Sequence, residues 1–266
     1  MKKIFHYKDI QVCYYINGSG KTIVLIHGFC EDSSMWNTFV NSNQTNQIIC
    51  IDLPGYGEST TTNEGLSIVW MSEMVEALLA HEQIDSCVMM GHSLGGYVTI
   101  HLAEKNPGLL NGIGFINSHV YADDDTKKLN RDKSIQFIQK NSSRLFIREL
   151  INNLFSDEFK KQSPEIAKQL ISKAQETVSD KAIIDTLIAM RDREDKSAIL
   201  ENIQLPVLFI IGKLDATIPL EISLKQSHLA AINQVIIREH VAHMSIFEDT
   251  SYTVQSMNEF VDFVNQ

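Results

Sequence analysis

The chain has 266 residues, of which 44% are hydrophobic, and its formal net charge is −10 at pH 7. This length and apolar content suffice for a sizeable core without disulfide bonds or structural metals. The excess of acidic residues would repel phosphate groups, so we expect neither nucleic acid nor an anionic membrane as a partner.

Targeting and membrane segments are not predicted. The N-terminal sequence MKKIFHYKDI has two early lysines but no continuous apolar stretch behind them, unlike a signal peptide. No apolar run approaches the roughly 18 residues of a transmembrane helix. The chain has four cysteines, which lack metal-ligand spacing: Cys13, Cys30, Cys50 and Cys87. Three of them lie in or beside predicted strands, where a free cysteine usually serves as a small buried side chain. We therefore expect a reducing, cytoplasmic location and no metal site.

Predicted strands and helices alternate along most of the chain. Residues 4–17 predict an antiparallel hairpin at a sheet edge. Mostly apolar runs, typical of strands covered on both faces, then occur in KTIVLIHG, QIICIDLPG, DSCVMMGH, GIGFINSH, LPVLFIIG and QVIIREH. Helical spacing of apolar residues predicts helices at 66–83, 94–105, 221–232 and 252–264. The alternation predicts an α/β fold: a mostly parallel, twisted sheet of about eight strands with helices on both faces.

The alternation stops between residues 123 and 201, where only helical patterns occur: 134–140, 144–155, 165–177 and 181–193. The triplet Asp123-Asp124-Asp125 is expected to form the acidic start of the first of these helices. They could be ordinary crossover helices, but one crossover needs only about a dozen residues. We therefore interpret 123–201 as an inserted helical cap of four helices, and 1–122 with 202–266 as the core domain.

A glycine-lined turn presents a single serine in VMMGHSLGGYVTI, residues 88–100. Gly91-His92-Ser93-Leu94-Gly95 fits the pattern G-x-S-x-G, in which a tight strand-to-helix turn lifts the serine above the sheet. The N–H groups at the start of the following helix suit developing negative charge. An inert serine is the alternative, but the apolar strand before the turn and the apolar helix after it favour a nucleophile.

The chain resembles the α/β-hydrolase fold family, in its serine hydrolase subgroup with a helical lid, over nearly the whole length outside the insertion. The resemblance rests on the serine turn, on HGF at 27–29, on DLPGYGES at 52–59 and on GKLDATIP at 212–219. In that family the order along the chain is nucleophile, acid, histidine, so Ser93 and Asp215 match the first two members. DLPGYGES is expected to shape a turn beside the site.

Two histidines compete for the third position. Glu248 follows His243 at the distance at which the family has an acidic residue, whereas His240 reads as the end of a strand, so His243 is favoured. Ala242 stands where the family usually has glycine. The resemblance also implies an oxyanion hole made by the backbone N–H groups of Phe29 and Leu94.

The resemblance implies a serine hydrolase that cleaves a small carboxylic ester, lactone or thioester through an acyl-enzyme, with no cofactor and a substrate that has an apolar portion. Carbon–carbon bond hydrolases, proline-type aminopeptidases and perhydrolases also keep the serine and remain alternatives, and a non-catalytic small-molecule receptor is a second class. Serine at position 93 argues against dehalogenases and epoxide hydrolases, which need a carboxylate there. Trp36 and His119 are pocket candidates; the oligomeric state is left open.

Overall fold

One eight-stranded sheet organises the chain in the computed structural model, which describes residues 1–43 and 45–266. The strands, in chain order, are β1 (Lys2–Tyr7), β2 (Ile10–Asn17), β3 (Thr22–Ile26), β4 (Gln47–Ile51), β5 (Cys87–His92), β6 (Leu110–Ile116), β7 (Val207–Gly212) and β8 (Asn233–Arg238). They lie in the order β1-β2-β4-β3-β5-β6-β7-β8. The predicted α/β fold with a mostly parallel sheet is confirmed.

The hairpin β1–β2 lies at one edge of this sheet, as residues 4–17 predict. Lys2 pairs with Tyr15 and Tyr7 with Ile10 in antiparallel register. Strand β2 also pairs antiparallel with β4, and from β4 to β8 every pairing is parallel. Strands β3, β5 and β7 are buried at every residue, because helices cover both of their faces.

Twelve α-helices connect and cover the strands in the described part of the chain: α1 (Asn37–Ser42), α2 (Ile68–His81), α3 (Leu94–Lys105), α4 (Asp125–Asn141), α5 (Ser143–Leu154), α6 (Asp157–Gln162), α7 (Pro164–Thr177), α8 (Asp180–Arg191), α9 (Ser197–Asn202), α10 (Leu220–Ser227), α11 (Ser245–Glu248) and α12 (Thr250–Val264). Helices α2 and α3 pack in one apolar core, and α1 and α12 in the second. The sheet thus separates two cores.

Helix α10 is shorter than the predicted helix 221–232. It ends at Ser227 because the side-chain amide of Asn233 donates to the carbonyl oxygens of Ser227 and Ala230, at 3.1 and 2.8 Å. These bonds satisfy carbonyl groups that a continued helix would otherwise use, so the chain turns there into β8.

Between β6 and β7, residues 123–202 are all described and contain six helices, α4 to α9, rather than the predicted four. Helices α6 and α9 have only six residues each, too few to show an apolar period. Helix α4 starts before the predicted residue 134 because the Asp124 carboxylate caps it, accepting the Lys127 N–H at 2.7 Å. Its first turns are polar and carry no periodic signal.

The carboxyl ends of the parallel strands meet at one edge of the sheet. The chain leaves β3 to form β4 on one side, and it crosses to β5 on the other. This reversal creates a crevice beside the ends of β3 and β5, where open α/β sheets bind ligands.

None of the described helices is long and apolar enough to cross a membrane. Within the described residues, no group of three or more His, Cys, Asp or Glu side chains is arranged to hold a metal ion.

Candidate active site

Ser93 forms the turn between β5 and α3 and has a φ of 46°, in the left-handed region that non-glycine residues rarely occupy. Such a conformation costs about 1–3 kcal/mol. The glycines around it permit close packing: a Cβ on Gly91 would lie 2.1 Å from the carbonyl carbon of Gly95, and one on Gly95 would lie 2.3 Å from the Ile26 oxygen. The Ser93 N–H donates to the carbonyl of Ile116 at 3.1 Å.

His243 follows β8 and is hydrogen-bonded to Asp215, which follows β7. Nδ1 of His243 lies 2.7 Å from Oδ2 of Asp215, and both side chains are buried. The other oxygen, Oδ1, accepts the N–H groups of Thr217 and Ile218, each at 2.9 Å, so the carboxylate is held in one orientation. Because Nδ1 donates to a carboxylate, Nε2 of the neutral ring is free to accept a proton. His240 lies in an exposed turn two residues beyond β8.

The loop that carries His243 is held by the carboxylate of Glu248. Oε1 of Glu248 accepts the N–H groups of Ala242 and Met244, the two neighbours of His243, each at 3.1 Å. Glu248 is the last residue of the short helix α11, and its carboxylate accepts backbone N–H groups of the loop that precedes this helix.

The same loop is hydrogen-bonded to the inserted helices. The N–H of His243 donates to the carbonyl of Leu154, the last residue of α5, at 2.9 Å. The N–H of Ser156 donates to Oε2 of Glu248, also at 2.9 Å. The corner between α5 and α6 is therefore fixed to the loop from both ends.

Asn117 and Gly212 complete the support of this loop from the sheet. The Asn117 amide donates to the carbonyl of Ala242 at 3.0 Å, and its oxygen accepts the N–H of Ser245 at 3.4 Å. A Cβ on Gly212 would lie 1.9 Å from the Ala242 carbonyl oxygen. Only glycine allows the loop to cross the end of β7 this closely.

The turn after β3 holds Phe29 beside the serine turn. Nε2 of His27 accepts the N–H of Leu53 at 2.9 Å, so Nδ1 carries the proton and donates to the Gly28 carbonyl at 2.7 Å. His27 thus fixes the turn. Among the described residues, the backbone N–H groups of Phe29 and Leu94 donate to no protein acceptor. Both are available to an oxygen atom bound near the serine.

A buried ion pair between Glu31 and His92 connects the turn after β3, the serine turn and the loop that carries His243. Nδ1 of His92 lies 2.9 Å from Oε2 of Glu31, and Nε2 lies 2.9 Å from the carbonyl oxygen of His243. Both partners accept, so the ring donates from both nitrogens and is an imidazolium. Burial alone would lower the pKa of His92, but the Glu31 charge and the carbonyl outweigh burial and raise it. Burial would raise the pKa of Glu31, yet the nearby imidazolium lowers it. Glu31 also accepts the Gly28 N–H at 2.7 Å.

A cavity of about 250 Å³ lies at these loops, at the small end of the range of ligand sites. It brings together Ser93, His243, Phe29 and His119, each from the carboxyl end of a different strand. The inserted helices supply most of its apolar wall: Phe146, Leu150, Leu154, Leu187 and Met190. Residues of α4, α5 and α8 thus line the same cavity as Ser93.

Trp36, expected to border this pocket, does not line it. The 3₁₀-helix Ser33–Trp36, capped by Asp32, turns the indole into the second core, where it is fully buried with Met35 and Phe39. The ring therefore stabilises the side of the sheet away from the cavity.

Comparison with known proteins identifies the family of this chain. The alpha/beta hydrolase fold family matches residues 21–250. This chain belongs to the α/β hydrolase fold family. Among relatives, the pimeloyl-[acyl-carrier protein] methyl ester esterase of Vibrio cholerae is 23% identical over 93% of this chain and 96% of its own length.

Solved α/β hydrolase structures share the fold. A malate-bound thermophilic esterase from Thermogutta terrifontis superposes with a TM-score of 0.90 at 21% identity, covering 100% of both chains. The enol-lactonase from Burkholderia xenovorans LB400 gives a TM-score of 0.90 at 16% identity, covering 98% of this chain and 100% of the other. The predicted family is confirmed.

His119 lines the cavity of this α/β hydrolase as an uncharged ring. Its Nδ1 accepts the N–H of Tyr121 at 3.1 Å. Burial and, next, the charge of Arg193 hold the pKa of His119 well below its usual range. Arg193 lies over the Tyr97 ring, 4.1 Å from its centroid, and pairs with Asp123 at 2.8 Å.

Several side chains of this site were not assigned from the sequence. Glu31 lies in no motif, and His92 occupies a variable position of the G-x-S-x-G pattern, so the sequence assigns neither of them. Asn117 lies directly after a buried strand, a position that could have identified it. Lys127 and Arg131 line the cavity from α4, but their part of α4 carries no apolar period.

Proposed function

We propose that this α/β hydrolase is a serine hydrolase of small carboxylic esters, lactones or thioesters. The observation that carries the proposal is the buried bond from Asp215 to His243, because His243 lines the same cavity as Ser93 on its strained turn. These groups supply a nucleophile, a base and the acid that orients the base. The name of the Vibrio cholerae relative, an ester hydrolase, supports an ester as the substrate.

In the proposed reaction, Oγ of Ser93 attacks the substrate carbonyl carbon while Nε2 of His243 removes the hydroxyl proton. The N–H groups of Phe29 and Leu94 stabilise the oxyanion, each worth about 10²–10³ in rate. The C–O or C–S bond then breaks, and the imidazolium protonates the leaving group. Water, deprotonated by His243, releases the acid and restores Ser93. Asp215 stabilises the imidazolium throughout.

We also propose that residues 123–201 form a cap over the core made of 1–122 and 202–266. Three of its helices, α4, α5 and α8, contribute cavity-lining side chains. The apolar part of that wall favours a substrate with an apolar portion and limits the access of water to the reacting atoms.

A fluorophosphonate probe and a panel of p-nitrophenyl esters of increasing acyl length, with lactones and aminoacyl amides, test the proposal. The native enzyme should hydrolyse esters and become labelled at Ser93. Ser93→Ala should abolish labelling, and Ser93→Ala and His243→Ala should each lower kcat by about 10⁴–10⁶.

His240→Ala is the matched control, because this exposed histidine lies outside the cavity and should leave turnover unchanged. A native protein that hydrolyses no ester or lactone and resists the probe would instead be a receptor on the same fold. Aminoacyl amides as the only substrates would contradict the ester assignment.

A further inference from the structure

The cavity has a positively charged wall although the chain is acidic overall, with a net charge of −10. Lys127 and Arg131, both on α4, line it, and Arg193 lies directly behind. One carboxylate, that of Asp123, pairs with both arginines. Among the described residues, Asp123 is thus the one carboxylate that forms ion pairs with this cluster of three cations, and it pairs with the two arginines only. The other carboxylate lining the cavity, Glu31, is already balanced by the His92 imidazolium.

Lys127 is the cation of this cluster that lacks a partner. Its ammonium group forms no hydrogen bond or ion pair with any described residue, although the side chain is half-buried. The exposed carboxylate of Asp124 accepts the backbone N–H of Lys127 and does not contact its ammonium group. Burial lowers the pKa of Lys127, and the charges of Arg193 and Arg131 lower it further against the attraction of Asp123 and Asp124. An anion in the cavity would satisfy this ammonium.

We propose that Lys127 binds a carboxylate carried by the acyl part of the substrate, so that the enzyme prefers half-esters of dicarboxylic acids. This inference rests on the ester hydrolysis proposed above. Ser93 and Lys127 line the same small cavity, and much of its remaining lining is apolar: Phe146, Leu150, Leu187 and Met190. A short methylene chain with a reactive ester at one end and a carboxylate at the other matches this lining. The Arg131–Asp123 pair holds the neighbouring turn of α4 in place.

The test compares each anionic ester with a neutral one of nearly equal shape. The mono-p-nitrophenyl esters of succinic, glutaric and adipic acid each have a counterpart in which an isopropyl group replaces the carboxylate. The native enzyme should give a higher kcat/KM for at least one anionic ester than for its counterpart. Lys127→Met should lower that ratio about 10- to 100-fold, the value of one charge-assisted hydrogen bond. Lys127→Glu should reverse the preference.

Lys128→Met is the matched control, since Lys128 is the next residue of α4 but is exposed and outside the cavity lining. It should leave both rates unchanged. Equal kcat/KM values for each pair in the native enzyme, or a ratio that Lys127→Met does not change, would overturn the inference. Labelling of Ser93 by a neutral fluorophosphonate separates the two failures: a labelled enzyme without charge preference loses only the carboxylate site, whereas an unlabelled, inactive one loses the hydrolase assignment.

Discussion

The two oxygens of Asp215 have different partners, and this difference defines what a single substitution removes. Oδ1 is fixed by two backbone N–H groups, and Oδ2 faces the His243 ring. Asp215→Asn can keep the first set with its carbonyl oxygen, but its NH₂ group then faces Nδ1 of His243. The ring must accept there, so the remaining proton moves to Nε2 and blocks the base.

Asp215→Asn is therefore expected to lower kcat by about 10⁴ while the fold is retained. Steady-state hydrolysis of a p-nitrophenyl ester measures the loss, and far-UV circular dichroism with thermal melting checks the fold. Turnover equal to that of the native enzyme would mean that another carboxylate orients the ring.

The Glu31–His92 pair connects the turn after β3, the serine turn and the histidine loop through one imidazolium. Breaking a buried pair by removing one charge costs about 3–5 kcal/mol, because the other charge stays buried without compensation. We therefore expect each single variant, Glu31→Gln or His92→Gln, to be less stable than the double variant.

The same pair predicts how stability varies with pH. Because the pKa of His92 is raised in the folded protein, His92 adds to the free energy of unfolding. This contribution is complete below its pKa in the unfolded chain, about 6.5, and is lost as the pH rises through its pKa in the folded protein. The lowered pKa of Glu31 gives one that is complete above about 4.3 and is lost as the pH falls through the folded value. The free energy of unfolding, measured in urea, should therefore differ most between the native protein and the double variant from about pH 4.3 to about pH 6.5. A difference that stays level into alkaline pH would show that His92 is uncharged.

At the level of elements, α11 and the histidine loop behave as one unit because Glu248 accepts three N–H groups. Glu248→Gln retains one acceptor oxygen for Ala242 and Met244 but turns an NH₂ group towards the Ser156 N–H. The tie to the inserted helices is then lost while the loop itself is kept.

Glu248→Gln should lower the free energy of unfolding by about 1–3 kcal/mol and increase hydrogen exchange at the α5–α6 corner. Glu259→Gln, an exposed change on α12, serves as the control. Exchange that increases equally across the whole chain would mean that the variant loses global stability and not this tie.

The elements that the sequence predicts well are those with many buried apolar residues and a clear start signal. Helix α3 has the predicted bounds, because its apolar residues and its glycine turn both mark the start. Helices α6 and α9 were missed because six residues are too few to show an apolar period. The polar start of α4 was missed because the Asp124 side chain caps it, and such a bond leaves no apolar period.

At the level of the whole molecule, the four cysteines lie in the buried first half of the sheet and its loops, and none forms a disulfide. Burial raises the pKa of each thiol, that of Cys87 to about 12. Because the thiolate is the reactive form, the native protein should release almost no colour from Ellman's reagent at mildly alkaline pH. Denatured in guanidinium, all four should react. One fast-reacting thiol in the native state would reveal local opening of that strand.

The residues proposed for catalysis could be named from the sequence because each lies in a short motif with fixed spacing, whereas their supports could not. Glu31, His92 and Asn117 act through contacts between residues far apart in the chain, which no local pattern encodes. The pocket was harder still: Trp36, a pocket candidate from the sequence, lies in the second core, because the orientation of the 3₁₀-helix decides where its indole points.

The bond from the His243 N–H to the Leu154 carbonyl has a consequence for how a molecule reaches the cavity. A route that lifts the α5–α6 corner must break this bond to the backbone of His243, so we expect the proposed proton transfer to be interrupted while that route is open. A route past α4 leaves the bond between the His243 ring and Asp215 unchanged. We therefore expect that substrates entering past α4 can be turned over in succession while the bond between His243 and Asp215 stays intact.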